Sequence, residues 1–217
     1  MEKDYIRINR EAYDKFAIQH NERSSKESKY EVSNSKWKEI IDNNLLIKDT
    51  DNNVLEIGPG SGRLLNILDN ELHCKTTAVE LSKEMIKYAK EKSPNTKFIE
   101  GNILDIDFEN NSFDAIIMGA LIHNFPKEDA IKLLELSKKW LKDNGRIMIY
   151  TTIHEKSEEG YYEKEDYNEN IVRFRKKYTK EELIDLFNKL NFKIVFTYYN
   201  EEKDRNKKWM TYIVEKL

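Results

Sequence analysis

The most informative stretch of this 217-residue sequence is Asn53-Val54-Leu55-Glu56-Ile57-Gly58-Pro59-Gly60-Ser61-Gly62-Arg63. It holds three of the chain's seven glycines and one of its three prolines. The apolar run at 53–57 predicts a short buried strand, and the residues from 63 to 68 predict the helix that follows it. A glycine turn between strand and helix lets the backbone approach a ligand closely and directs N–H groups at negative charge. We therefore expect a ligand-binding turn at 58–62.

A carboxylate further along the chain supports a nucleotide-like ligand. Glu80 ends the apolar run at 77–79 and lies 22 residues after Gly58. Nucleotide-binding βαβ units carry, at about this distance, the carboxylate that accepts a hydrogen bond from the ribose. The dinucleotide fingerprint needs glycine at the sixth position of the turn, where this chain has Arg63. The turn therefore departs from the dinucleotide pattern.

The composition argues against several classes of partner. The 37 basic and 40 acidic side chains give a net charge of −3, without the positive excess typical of DNA-binding or RNA-binding proteins. No apolar run approaches the roughly 18 residues that span a bilayer, and the N-terminus lacks the apolar core of a secretory signal. We therefore predict a cytoplasmic protein with no DNA or membrane partner. The single cysteine, Cys74, excludes an internal disulfide and a thiolate metal cluster, and we expect no metal site.

Strand-like and helical patterns alternate from residue 53 onward, which predicts a mostly parallel α/β sheet with helices on both faces. Ser82 stands where it can cap a helix running to residue 92, and the segment 179–182 spells a capping box. Only the short segment 200–207 separates the last two strands, so we expect them to form an antiparallel hairpin. The predicted strands are 53–57, 75–80, 97–100, 113–118, 145–152, 192–199 and 208–215.

The stretch from Glu56 to Gly62 resembles motif I of the class I S-adenosylmethionine-dependent methyltransferases. Four further pieces resemble the later motifs of that family, in the family's order: 78–82, 100–103, 112–118 and 141–146. The resemblance covers about residues 50 to 153, and residues 178 to 192 resemble the family's later helix and strand. It implies a Rossmann-like, doubly wound sheet of seven strands whose last strand is antiparallel. It also implies S-adenosylmethionine as the cofactor and S-adenosylhomocysteine as the product.

The resemblance assigns roles to individual residues. In the family, the residue matching Glu80 accepts from the ribose hydroxyls, and the residue matching Glu56 favours the cofactor's ammonium group. Asn102 stands where the family often has an aspartate at the adenine amino edge, and Tyr13 matches a tyrosine that closes over the cofactor. The cofactor-binding residues implied are Tyr13, Glu56, Gly58, Pro59, Gly60, Gly62, Glu80, Leu81, Asn102, Ile103, Met118 and Gly119.

Two segments lie outside the alternation of strands and helices. We expect residues 1–50 to form an N-terminal helical cap over the active site. Residues 51–217 would form the cofactor-binding core, with a lid-like insertion at 153–178. Such segments commonly shape the acceptor pocket in the family. We expect His20 and Arg23 in the first segment to be surface residues.

The acceptor is predicted to be a small molecule that is methylated on oxygen or nitrogen. The family's amino-methyltransferases of nucleic acids and proteins carry an Asn/Asp-Pro-Pro-Tyr/Phe tetrapeptide after the fourth strand, where this chain has the residues 118–121, Met-Gly-Ala-Leu. His123 follows that strand and is the candidate catalytic residue, since imidazole can accept a proton near neutral pH. The alternative is that His123 only packs at a helix start.

The sequence leaves other functions open. The chain could be a methyltransferase-like module that binds the cofactor or a partner without turnover, or a protein or RNA methyltransferase. A nicotinamide oxidoreductase could use Tyr88 and Lys92, but a short-chain dehydrogenase keeps its catalytic pair after strand five. The pattern specifies neither the acceptor nor the oligomeric state.

Overall fold

The predicted strands are all present, and two more form a small hairpin. The computed structural model describes residues 2–26, 31–47, 50–163 and 171–217. The strands are β1 (Asn53–Ile57), β2 (Lys75–Glu80), β3 (Lys97–Glu100), β4 (Phe113–Gly119), β5 (Leu141–Ile153), β6 (Glu158–Glu163), β7 (Val172–Lys177), β8 (Phe192–Glu202) and β9 (Lys207–Lys216).

Seven of these strands pair in the order β3-β2-β1-β4-β5-β9-β8. The pairs from β3 to β5 are parallel, and β9 is antiparallel to both β5 and β8. This topology confirms the predicted fold class. Because β1 lies centrally and the strand order reverses between β1 and β4, a crevice opens beyond the carboxyl ends of these strands.

The helices cover both faces of the sheet. They are α1 (Asp4–Lys15), α2 (Ala17–Ser24), α3 (Asn34–Ile40), α4 (Arg63–Asn66), α5 (Lys83–Lys92), α6 (Lys127–Trp140) and α7 (Lys180–Lys189). The predicted caps are confirmed: Ser82 Oγ accepts from the backbone N–H of Met85 at 3.1 Å, and Thr179 Oγ1 accepts from that of Glu182 at 3.1 Å. These bonds satisfy N–H groups that have no partner within the helix.

Successive residues of the central strands enter two different apolar layers. Leu55 packs with α6 and α7 on one face of the sheet, whereas Val54 packs with α3 and α4 on the other. Trp140 and Trp37 are fully or almost fully buried, one in each layer. A strand buried on both faces needs apolar residues at consecutive positions, which explains the unbroken apolar runs in the sequence.

Strand β5 begins earlier than predicted. The sequence 144–145 predicts a C-terminal cap for the preceding helix, but α6 ends at Trp140 and the chain is already extended at Leu141. Leu141 pairs with Phe113, and the register shifts before Arg146 pairs with Ala115. The positive φ of Asn144, 62°, therefore belongs to this irregularity within the strand.

The N-terminal helices and the insertion meet at the carboxyl end of the sheet. Asn9 on α1 donates to the carbonyl of Asn124 at 3.1 Å and accepts from the N–H of Phe174 on β7 at 2.8 Å. Strands β6 and β7 form an antiparallel hairpin inside the predicted insertion. Residues 164–170 of that insertion lie outside the described residues. Among the described helices, none is long and apolar enough to cross a membrane.

Candidate functional site

The glycine turn after β1 has a backbone that side chains would disturb. Gly58, Gly60 and Gly62 have φ angles of 67°, 56° and 83°, in the left-handed region that favours glycine. A Cβ on Gly62 would lie 2.8 Å from Ala89 Cα on α5, so this glycine permits close packing of two helices. A Cβ on Gly58 would lie 2.6 Å from a methyl carbon of Leu121. The turn is thus held between α5 and the segment after β4.

Glu80 at the end of β2 is buried and holds the glycine turn. Its Oε2 accepts from the N–H of Gly60 at 3.0 Å, and its Oε1 accepts from the N–H of Ser82 at 2.8 Å. Burial raises the pKa of this carboxyl group, and the two backbone donors oppose that rise. Each carboxylate oxygen has a further lone pair, so Glu80 can still accept from a ligand.

Glu56 lies on β1 and is 2% exposed. Among the described residues, its Oε2 has no hydrogen-bond partner. Burial, together with the nearby charge of Glu80, raises the pKa of Glu56 to about 8. A buried carboxylate without a partner is unfavourable, and a bound cation would relieve the cost.

A cavity of about 290 Å³ opens from this turn. It reaches from the glycine turn across the ends of β4 and β5 to the hairpin β6–β7 and the start of β9. The predicted site residues that line it are Tyr13, Glu56, Gly58, Pro59, Gly60, Glu80, Leu81, Asn102, Ile103, Gly119 and His123. The other two, Gly62 and Met118, lie elsewhere: Gly62 against Ala89, and Met118 fully buried in the core.

The side chain of Asn102 is engaged locally. Its Oδ1 accepts from the N–H of Leu104 at 3.2 Å, and its Nδ2 donates to Asp105 Oδ2 at 2.9 Å. These contacts cap the short 3₁₀ turn Ile103–Asp105. They fix the backbone at the edge of the cavity where Ile103 also lies.

His123 follows β4 and Tyr13 lies on α1, and both line the cavity. His123 is 1% exposed, and its Nδ1 lies 2.7 Å from Thr151 Oγ1 on β5, a distance at which either atom can donate. The next residue, Asn124, donates from Nδ2 to the hydroxyl of Tyr13 at 3.0 Å. The loop after β4 therefore joins α1 to the sheet beside the imidazole.

The expectation that His20 and Arg23 are surface residues is wrong, because both line the cavity. His20 Nδ1 lies 3.2 Å from Ser61 Oγ in the glycine turn. Arg23 pairs with Glu31 at 3.4 Å. Tyr13 lies on α1 and His20 on α2, with the helix interrupted at Phe16, so no single helical spacing in the sequence places both on one face.

Aromatic rings form a wall that sequence reasoning missed. The rings of Tyr150 on β5 and Trp209 on β9 stack with centroids 4.4 Å apart, and Trp37 meets Tyr150 edge-on at 4.9 Å. Trp209 Nε1 donates to Glu202 at 3.0 Å. All four residues line the cavity. They come from distant parts of the chain, so only the sheet order brings them together.

Cationic side chains complete the lining. Those from the N-terminal part and the glycine turn are Arg23 and Arg63, those from β7 are Arg173 and Arg175, and those near the last hairpin are Arg205 and Lys207. In the described parts of the chain, no group of three or more His, Cys, Asp or Glu side chains could hold a metal ion.

Comparison with known proteins shows that this chain is similar to methyltransferases. Residues 54–145 match the family model described as a methyltransferase domain. An uncharacterized methyltransferase of Alkaliphilus oremlandii is 31% identical over 104 residues, 48% of this chain and 47% of that protein. The phosphoethanolamine N-methyltransferase of Plasmodium falciparum is 30% identical over 150 residues, 65% of this chain and 54% of that protein. The chain spans about half the length of these relatives.

A solved structure extends the likeness over the whole chain. The 1,6-didemethyltoxoflavin-N1-methyltransferase of Burkholderia thailandensis, with bound 1,6-didemethyltoxoflavin and S-adenosylhomocysteine, matches with a TM-score of 0.74. The sequences are 15% identical, and the match covers 100% of this chain and 91% of that one. At this identity the likeness shows a shared fold.

Proposed function

Since this chain belongs to the class I S-adenosylmethionine-dependent methyltransferases, we propose that it transfers a methyl group from that cofactor to an oxygen or nitrogen atom of a small organic acceptor. The cofactor supplies an electrophilic methyl group on a sulfonium ion, and the protein supplies binding, orientation and electrostatics.

The unpartnered carboxylate of Glu56 beside Glu80 is the observation that carries this proposal. Glu56 lines the cavity and has a buried oxygen with no hydrogen-bond partner among the described residues, which suits the ammonium group of the cofactor. Glu80 already fixes the turn through Gly60, and its remaining lone pairs suit the ribose hydroxyls. The residues present therefore fit the cofactor.

The other cofactor contacts follow from the shape of the turn. Gly58 and Gly60 line the cavity with left-handed φ angles and carry no Cβ, so the methionine and ribose parts of the cofactor would lie against bare main chain there. Ile103 and the edge fixed by Asn102 would border the adenine. Tyr13, tied to Asn124, would close over the cofactor from α1.

A small acceptor suits the enclosure of the site. Helices α1 and α2 and the hairpin β6–β7 contribute residues to the cavity lining, so the acceptor would lie beneath them. The stacked rings of Tyr150 and Trp209 favour a flat or ring-containing molecule. The molecules named for the Burkholderia and Plasmodium proteins, 1,6-didemethyltoxoflavin and phosphoethanolamine, are also small.

Positioning of the acceptor against the methyl group would supply much of the rate acceleration. Alignment of two reactants in a pocket can lower the barrier by about 7–11 kcal/mol. His123 borders the cavity beyond Gly119, so its imidazole could remove the proton that the acceptor atom loses. Thr151 holds the ring through Nδ1.

The proposal is tested by turnover. Purified protein is incubated with cofactor labelled in the transferable methyl group and with a panel of phenols, amines, heterocycles and carboxylic acids, alongside a bulk RNA and a protein extract. Label transferred to a small molecule supports the proposal. Label found only in RNA or protein, or cofactor binding with no transfer to anything in the panel, supports one of the alternatives instead.

A further inference from the structure

We propose that Leu121 limits the size of the group that the enzyme can transfer, because its side chain lies against the sulfonium end of the bound cofactor. This inference rests on the proposed function and deepens it, since it names the residue of the same site that selects methyl over larger groups. It starts from the short segment between β4 and α6, which packs against the glycine turn and carries His123.

The side chain of Leu121 lies directly over Gly58, the first glycine of the turn. A Cβ on Gly58 would lie 2.6 Å from Leu121 Cδ1, and 3.5 and 3.6 Å from its Cγ and Cδ2. Both residues line the cavity, and Leu121 is half-buried. The bare Cα of Gly58 therefore leaves room for the branched end of the leucine, which gives the turn an apolar border inside the cavity.

An unusual backbone conformation directs Leu121 at the turn. Ala120 has a φ of 55°, in the left-handed region that residues other than glycine seldom adopt. Its N–H donates to the carbonyl of Tyr150 on β5 at 2.7 Å, and its carbonyl accepts from Asn124 Nδ2 at 3.4 Å. Strained residues persist where the surrounding structure holds them, and they cluster at functional sites. The position of Leu121 is thus fixed both by the sheet and by the loop that follows it.

Leu121 contacts the proposed cofactor side of the cavity and adjoins the proposed acceptor side. Gly58 belongs to the turn that would hold the cofactor, and His123, two residues after Leu121, lines the cavity where the acceptor would lie. The transferred group must pass from one side to the other, so a side chain that belongs to both is placed to limit its size. Met118, which the resemblance places among the cofactor contacts, is fully buried in the core and cannot serve in this way.

A close apolar contact discriminates between ligands by their size. One extra methylene group in an apolar pocket changes relative affinity by about 10–200-fold. Filling a site that is already packed also forces side chains out of their preferred positions. S-adenosylethionine carries an ethyl group in place of the transferable methyl group, so its extra carbon should meet Leu121 where the methyl group does not.

The test compares the binding of S-adenosylmethionine and S-adenosylethionine by calorimetry, with no acceptor present. The two ligands carry the same charge and differ only in the transferable group. The variants are Leu121→Ala and the milder Leu121→Val. The matched control is Leu136→Ala on α6, a half-buried leucine outside the described lining of the cavity. S-adenosylhomocysteine, which has no transferable group, is titrated into every variant.

We expect the wild type and Leu136→Ala to bind S-adenosylmethionine at least about tenfold more tightly than S-adenosylethionine. In Leu121→Ala the two affinities should differ by no more than about twofold, because the shortened side chain leaves room for the ethyl group. This variant should keep its affinity for S-adenosylhomocysteine within about tenfold of the wild type, since only an apolar contact is lost. Leu121→Val should give an intermediate ratio, and it decides the test if Leu121→Ala does not fold.

Equal affinity of the wild type for the two sulfonium ligands would overturn the inference. So would a ratio that stays at the wild-type value in the folded Leu121 variants, whatever their absolute affinities. Loss of all three ligands by those variants would assign Leu121 to the folding of the cofactor site and would also overturn it. Failure of the wild type to bind S-adenosylhomocysteine would instead refute the proposed function.

Discussion

At the residue scale, the ionisation of Glu56 should make the affinity for the cofactor depend on pH. Its pKa is raised to about 8 by burial and by Glu80, so the carboxyl group of the free protein holds its proton at pH 7. A cation bound beside it favours the ionised form. Binding of the cofactor's ammonium group should therefore expel this proton, and affinity should rise between pH 6 and 8.

Calorimetry at pH 7 in phosphate and in Tris measures the expelled proton, because the two buffers differ in ionisation enthalpy. We expect the binding of S-adenosylhomocysteine to release up to one proton from the wild type. Glu56→Gln should bind this ligand more weakly and should not release that proton. Binding with the same buffer dependence in wild type and variant would contradict the assigned role of Glu56.

Glu56 should also lower the stability of the free protein at high pH. A carboxyl group whose pKa is higher in the folded state makes folding less favourable as pH rises from about 4.5 toward about 8. Glu56→Gln removes this loss, so its melting temperature at pH 8.5 should exceed that of the wild type. A higher melting temperature in the variant is expected if Glu56 serves ligand binding at a cost in stability.

For His123, experiment can separate the proposed catalytic role from a packing role. If it accepts the acceptor's proton, His123→Gln should lower kcat by about 10²–10⁴ while S-adenosylhomocysteine affinity stays within about twofold. His154→Gln is the matched control, since His154 is exposed and bonds to Thr152. A melting temperature lowered with kcat nearly unchanged would show a packing role.

At the scale of elements, the start of α4 depends on Gly62. Gly62→Ala should destabilise the protein by about 1–3 kcal/mol, because alanine resists the φ of 83° and its Cβ would meet the backbone of α5 at Ala89. Urea unfolding measures the change. Gly160→Ala on β6 is the control, since a Cβ there meets only atoms at 3.8 Å or beyond. Equal stability of the two variants would contradict the packing role of Gly62.

Most of the strands of the main sheet can be predicted from the sequence. The predicted strands 53–57 and 75–80 match β1 and β2 to the residue, since the residues at their centres are buried on both faces of the sheet. The early start of β5 cannot be predicted from the sequence, because Leu141 becomes a strand residue only by pairing with Phe113 across the register shift.

At the scale of the whole molecule, the candidate site divides into a local and an assembled part. The proposed cofactor side is built from one strand–turn–helix motif and Glu80, so their spacing predicts it. The proposed acceptor side joins Trp37, Tyr150, Arg173 and Trp209, which are far apart in the chain and line one cavity only through the sheet order and the hairpin. No local pattern could place them.

We propose that the glycine turn and Glu80 hold S-adenosylmethionine, a claim that calorimetric titration with S-adenosylhomocysteine tests. We predict saturable binding by the wild type and by Glu100→Gln, whose exposed carboxylate ends the neighbouring strand β3. Glu80→Gln, if folded by circular dichroism, should bind about tenfold more weakly or worse. Absence of binding by the wild type, or the same affinity in Glu80→Gln and wild type, would contradict the claim.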